Sequence, residues 1–448
     1  MSRTPTQLSS IVRVLASCML GFACTSIAAA QTGGAYAPCV PITASPSSHF
    51  ASGRATRTTS DGTKYWALGS GVQLTGTSVT LAQTAYRYYE KLSSCPLPPG
   101  CARAANQPAS GLDLRCATTP PGTTLARAYD MHVPNNYTNL DATSARLPMV
   151  MEMHGGGGGA VPPSTEAISG WLEVSDTSVA PFIVVWPVGS NEDSGPFGEE
   201  WQTCNYDDTA GSKCPATGYP HDRNFLIDVV TKVAANFKID KKKLYATGLS
   251  SGAAMVHALA CKYSEFFAAV APMAYGIQVT GQPRSRDNYD MRTKCAAAVP
   301  ENGVTKRKVP VFYAHSPHDR TSSFAQGQAT VSFFESSYGG CGTAVTTSQV
   351  EFDIVDPTDL AMPQWDLTAC RTKTCAGGAT KVALCAIDGS SGILNAYGHI
   401  IWWGDDLHFP VFQPNQPRLA QWAWDWMRPF SAPDAESKWP PQPTAAIP

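Results

Sequence analysis

At 448 residues, 43% hydrophobic and 15% charged, the chain has room for one large α/β domain with additions, or for two domains, and its composition excludes a disordered protein. The formal net charge is −2 with no basic block or stripe, which excludes a nucleic-acid footprint and an anionic-membrane binder. No stretch after the N-terminal leader is long and apolar enough to span a bilayer.

The N-terminus carries Arg3 and Arg13, an apolar stretch from Val14 to about Ile27, and then Ala28-Ala29-Ala30-Gln31. Basic, apolar and small-residue regions in that order predict a secretory signal peptide over residues 1–30, and so a secreted protein, extracellular or periplasmic. Leu15-Ala16-Ser17-Cys18 imitates a lipoprotein cleavage box, but cutting there leaves almost no apolar region ahead of it. Of 14 cysteines, Cys18 and Cys24 leave with the leader; 14 − 2 = 12 remain, an even number that predicts a disulfide framework. Cys370, Cys375 and Cys385 have no histidines at ligand spacing, so stapled loops are expected there, with no metal.

Residues 31–125 form a Cys/Pro/Gly-rich extension holding Cys39, Cys95, Cys101 and Cys116, with one helix expected over Leu81–Leu92. It reads as a wrapping segment or a lid. From residue 126 to 430 apolar runs alternate with helix-length segments, which predicts an α/β domain built on a mainly parallel sheet flanked by helices. Strands are expected at Ala128–Val133, Leu147–Met153, Phe182–Trp186, the apolar run that opens after Lys243 ahead of Gly248, Phe266–Ala271, Val309–Ala314 and Lys381–Ile387. Helices are expected at Arg223–Phe237, Ala253–Cys261 and Gln416–Met427, the last bearing Trp422, Trp424 and Trp426 as packing anchors. A Pro-rich tail, 431–448, follows, with no further binding module expected. Asn136-Tyr137-Thr138 is a glycosylation acceptor in a host that adds glycans.

One stretch organises the domain: Lys243 to Met255, where an apolar run enters Gly248-Leu249-Ser250-Ser251-Gly252 and continues as a small-residue helix. Strand, Gly-x-Ser-x-Gly and helix is the context of a nucleophile elbow, with Ser250 as nucleophile. A Ser-His-acid triad also needs an orienting acid, a base and oxyanion donors, in the chain order serine, acid, histidine. Asp319, in the loop leaving the Val309–Ala314 strand, is the candidate acid. His399 and His408 both lie between the last strand and the closing helix; Gly398 lets the loop approach the serine and favours His399. The oxyanion donors would be the Ser251 amide and an amide of the glycine run after His154. That run lacks the Gly-Lys-Ser/Thr ending of a P-loop and the spacing of a dinucleotide fingerprint, so no nucleotide and no other cofactor is expected.

With these parts in place the chain resembles the secreted esterase family of polyhydroxybutyrate depolymerases and feruloyl esterases, which are α/β-hydrolases. The likeness rests on Leu147–Gly156, Gly170-Trp171 through Trp186-Pro187, Asp240–Met255, Phe266–Pro272 and Gly398-His399, within about 126–430. It implies Ser250, Asp319 and His399 as the triad, with the second oxyanion amide at Gly156 beside Gly155. It departs from the family where Gly398-His399-Ile400-Ile401-Trp402 has one extra residue before the tryptophan and no proline, and where polyglycine replaces Gly-Cys. The substrate is therefore expected to be an ester, either a polyester oligomer or an aryl ester, with Trp201, Trp402 and Trp403 as candidates for lining the acyl pocket. A non-catalytic binding module and a serine peptidase on the same fold are the rival readings.

Overall fold

The computed structural model describes residues 42–59, 62–68, 70–85, 88–91, 97–104, 111–121, 126–134, 137, 146–156, 170–195, 198–201, 222–279, 289–290, 292–295, 307–317, 319, 321–351, 367–387, 419–433, 435 and 439.

Eleven strands form one sheet. In chain order they are β1 (Cys101–Arg103), β2 (Leu112–Thr118), β3 (Arg127–Val133), β4 (Leu147–Met153), β5 (Ile183–Pro187), β6 (Ile239–Leu249), β7 (Phe267–Met273), β8 (Val311–His315), β9 (Val345–Glu351), β10 (Leu367–Cys375) and β11 (Thr380–Ala386). Their spatial order is β1-β2-β3-β5-β4-β6-β7-β8-β11-β10-β9. The six strands from β5 to β11 are parallel, and β3, β2 and β10 pair antiparallel with their neighbours. Strands β2 to β8 with β11 give the strand sequence of the α/β-hydrolase fold, its second strand antiparallel and its third and fourth exchanged. β1 and β2 lie inside the Cys-rich segment that composition marks as an extension. β1, at the edge, has only three residues, and β2, pinned to it by Cys101–Cys116, interrupts its apolar residues with Asp113 and Arg115, so neither carries a long apolar run to betray it.

Side chains alternate across the central strands and feed two cores. On one face Met149, Met151 and Met153 of β4, Leu244 and Ala246 of β6, and Val311 and Tyr313 of β8 are buried. They lie beneath α2 (Asp222–Asn236), α3 (Ser251–Lys262) and α4 (Phe324–Tyr338). On the other face Val150, Val184, Tyr245, Phe312 and Ala314 lie beneath α1 (Trp171–Thr177) and α5 (Leu419–Met427). Trp424 closes that face, its indole N–H donating to Ser178 Oγ at 3.0 Å and its ring 5.3 Å from Tyr245. Burial of both faces explains why the central strands read as unbroken apolar runs.

One expected element is wrong. Leu81–Leu92 is not a helix: Val79–Ala85 and Tyr88–Glu90 are strands in a three-stranded sheet with Ile42–Ala44. β-branched Val79, Thr80 and Thr84 suit a strand, Leu81 pairs with Ile42, and both Val79 and Leu81 are buried in a small separate core. Among the described residues four disulfides join Cys101–Cys116, Cys261–Cys295, Cys341–Cys375 and Cys370–Cys385. Cys39, Cys95, Cys204 and Cys214 lie outside the described residues.

Candidate active site

The connections from adjacent β4 and β6 leave in opposite directions, β4 through α1 to β5 and β6 through α3 to β7. In an open parallel sheet that reversal opens a crevice at the carboxyl ends of the strands. β6 delivers Ser250 there, and β4 delivers His154-Gly155-Gly156.

Ser250 is the turn between β6 and α3, with φ 54° and ψ −120°. A left-handed φ on a non-glycine residue costs on the order of 1–3 kcal/mol and persists only where its surroundings impose it. Those surroundings are visible. The Ser250 N–H donates to Met273 O at 3.0 Å, and its carbonyl accepts the first helical bond from Ala254 N–H at 3.1 Å. The flanking glycines let helix and strand meet: a Cβ on Gly248 would lie 2.8 Å from Met153 O, and one on Gly252 would lie 2.5 Å from His154 O. Ser251 opens α3, where the first amides have no partner within the helix.

The β4 loop is held in three ways. His154 Nε2 accepts from Gly189 N–H at 2.8 Å, which puts the ring proton on Nδ1, and Nδ1–H donates to Gly155 O at 2.7 Å. Burial, helped by the charge of Arg127, pushes the His154 pKa down to about 4 against the opposing pull of the Gly155 carbonyl, so the ring is neutral near pH 7. Because that carbonyl is held, the plane of the Gly155–Gly156 peptide is fixed, with the Gly156 N–H pointing opposite to it. Trp201, 5% exposed, donates its indole N–H to His154 O at 2.8 Å, with its ring 5.0 Å from the imidazole. Gly155 itself approaches Ser250: a Cβ placed on it would sit 3.5 Å from Ser250 Cβ. Deeper still, Arg127 donates to Val188 O at 2.8 Å, pairs with buried Asp222 at 2.7 Å and lies 4.3 Å from the Phe225 ring.

Asp319 follows β8 and is 7% exposed. Its Oδ1 accepts the amides of Thr321 and Ser322, each at 2.8 Å, and its Oδ2 faces His315 Nε2 at 3.0 Å. Both carboxylate oxygens are therefore engaged, Oδ1 by two backbone amides and Oδ2 by the imidazole. Sequence reading placed His315 in the loop. It is instead the last residue of β8, wholly buried. Its signal was a histidine four residues before an aspartate at a strand end. His399, His408, Trp402, Trp403 and Gly157–Gly159 lie outside the described residues. The structure thus brings Ser250 together with Gly155 in the loop after the neighbouring strand β4, and orients Asp319 through its own loop.

No family model matches the sequence, and no curated protein matches it. Among solved structures the chain is similar to a thermostable esterase, at 13% identity over 84% of this chain and 89% of that one, TM-score 0.41. It is also similar to acetyl xylan esterase from Aspergillus awamori, at 18% identity over 61% and 92%, TM-score 0.39. A variant of the feruloyl esterase module from Clostridium thermocellum, complexed with sinapinate, is 13% identical over 54% and 81%, TM-score 0.36. Likenesses at this distance leave the fold to the strand order and the chemistry to the site.

Proposed function

We propose that the chain is a secreted serine hydrolase of carboxylic esters that works through an acyl-enzyme. The observation that carries this reading is the backbone of Ser250, held at φ 54° between strand and helix with Gly155 packed against it. A serine in that posture presents its hydroxyl above the sheet at a helix N-terminus, beside backbone amides suited to a developing oxyanion. In this mechanism Ser250 Oγ attacks the ester carbonyl while His399 takes its proton. Asp319 orients the imidazole and stabilises the imidazolium. The amides of Ser251 and Gly156 receive the oxyanion. His399 then protonates the leaving alcohol, and a water molecule activated by the same imidazole releases the acid and restores Ser250. Each step uses the chain's own groups.

The proposed substrate class is a polyhydroxyalkanoate-type ester, polyhydroxybutyrate above all, from the resemblance of Asp240–Pro272 to the depolymerase family. Trp402 and Trp403 are proposed to line the acyl side. The test is hydrolysis of 3-hydroxybutyrate oligomers, methyl ferulate and a short-chain nitrophenyl ester by purified mature protein, with Ser250→Ala as the blank. Release of 3-hydroxybutyrate by the parent alone is the expected result. Release of ferulate instead would reassign the substrate to aryl esters, and equal activity of Ser250→Ala would end the serine-hydrolase reading.

A further inference from the structure

The acid of the proposed triad is held by a second histidine, one that no triad scheme includes. His315 Nε2 faces only acceptors: Asp319 Oδ2 at 3.0 Å and the Ser322 carbonyl at 2.8 Å. Nε2 must therefore carry a proton. On the other side of the ring, Nδ1 lies 2.9 Å from the Tyr313 hydroxyl. With the proton on Nε2, Nδ1 is left to accept, and the Tyr313 O–H donates to it. One direction of donation satisfies the relay: Tyr313 O–H to His315 Nδ1, and His315 Nε2–H to Asp319 Oδ2.

The ring is also caged. His315 is fully buried, and the Phe324 ring meets it edge-on at 5.7 Å. The α4 backbone closes over it at Gly327, where a Cβ would lie 2.5 Å from His315 Nδ1 and 2.8 Å from Tyr313 Cε1. Strand β8 supplies both Tyr313 and His315, two residues apart on the same face, so the strand itself sets the spacing of the relay. A tyrosine and a glycine thus fix one histidine ring, which bonds one carboxylate oxygen of Asp319, while two loop amides hold the other.

We infer that His315 is a positioning residue for the hydrolytic reaction: its Nε2–H, with the tautomer fixed by Tyr313, sets the plane of the Asp319 carboxylate that orients the catalytic base. This rests on the reading of Asp319 as the triad acid. A carboxylate anchored only through Oδ1 can swing about its Cβ–Cγ bond. Clamped at both oxygens, it offers its remaining lone pairs in one direction, and the base receives a fixed partner in the transition state, where the imidazolium forms.

The experiment measures kcat and KM on a short-chain nitrophenyl ester, with thermal unfolding of every variant as the fold control. The variants are Asp319→Asn, His315→Gln, His315→Met and Tyr313→Phe. Gln and Met are close in size, and only Gln keeps an N–H for Asp319. Asp319→Asn is expected to lower kcat at least a thousandfold, and retained activity there would overturn the triad reading itself. Given that loss, His315→Met is expected to lower kcat 10- to 100-fold with KM within twofold, His315→Gln to recover to within fivefold of the parent, and Tyr313→Phe to lose three- to tenfold. A His315→Met enzyme within twofold of the parent, or a Gln variant as impaired as Met, would overturn the positioning role while the triad stands. Should His315→Met fail to fold, the Tyr313→Phe and His315→Gln pair decides: normal kcat in Tyr313→Phe, or a Gln variant impaired like Asp319→Asn, refutes the relay.

Discussion

At the scale of single residues, the site depends on side chains that fix backbone. Ser250 keeps its φ of 54° because its own N–H and C=O are both bonded and because Gly248 and Gly252 admit neighbouring carbonyls. Trp201 is the neatest case. Sequence reading offered it as a pocket wall, and in the fold its indole N–H is engaged at 2.8 Å by the His154 carbonyl. Trp201→Phe keeps the ring and removes that one bond, of order 1 kcal/mol. The expected outcome is a five- to tenfold lower kcat with KM within twofold in steady-state assays, since only the proposed oxyanion geometry loosens. An unchanged kcat would show that the loop holds itself.

At the scale of elements, α3 does two things: its N-terminus carries Ser250 and Ser251, and its body buries His257. That imidazole is wholly buried, stacked 6.2 Å from Tyr313 and 5.9 Å from Phe334, with Nε2 at 3.1 Å from Tyr275 O. Burial pushes its pKa down to about 4, partly offset by the Tyr275 carbonyl. The folded value lies below the unfolded one of roughly 6.5, so the unfolded chain binds the extra proton first as pH falls. This contribution to stability is complete above about pH 6.5 and drains away toward pH 4. His154, also lowered to about 4, acts in the same direction. Asp130 acts in the opposite one: burial and the Asp113 charge, against the pull of Arg115, raise its carboxyl to about 6, so its contribution fades as pH rises through 6. His132, raised by hydrogen bonds to Asp113 and Asp176 that outweigh burial, also loses its contribution on the alkaline side. A single variant separates these opposing groups. His257→Leu should be less stable than the parent at pH 7, and urea unfolding at pH 5 should show that gap narrowed by about 2 kcal/mol. An equal gap at both pH values would place the acid sensitivity elsewhere.

Across the whole molecule, disulfides staple the sheet at both edges. Cys101–Cys116 joins β1 to β2, Cys370–Cys385 joins β10 to β11, and Cys341–Cys375 ties the chain after α4 to the end of β10. The last bridge spans 34 residues, and closing a loop of that size restricts the unfolded chain by about 4 kcal/mol in the chain-entropy view. Reductant should therefore lower the guanidinium midpoint of unfolding, and Cys341→Ala with Cys375→Ala should reproduce a large part of that shift. Midpoints that do not move would remove the bridges from the stability of the fold.

The sequence by itself determined the parallel core and the elbow. Leu147–Met153 matches its expected strand end to end, and α2, α3 and α5 fall within three residues of expectation at each end, because apolar periodicity and Gly-x-Ser-x-Gly are local consequences of burial and turn geometry, whereas α1 and α4 were not expected. It did not locate β1 and β2, whose pairing is a long-range choice stapled by Cys101–Cys116, and it misread Leu81–Leu92, where cross-strand partners at Ile42–Ala44 outweigh local preference. Among the candidate site residues, the placement of Ser250 and Asp319 just past strand ends was legible, because turns after buried strands leave a local mark. The work of His154, Trp201 and His315 was not, since a hydrogen bond between residues 47 apart, as from Trp201 to His154, or a ring caged by Gly327, leaves no periodic mark. Only the folded chain decides which atoms those side chains meet, because the buried donors and acceptors must find partners wherever the packing has left them.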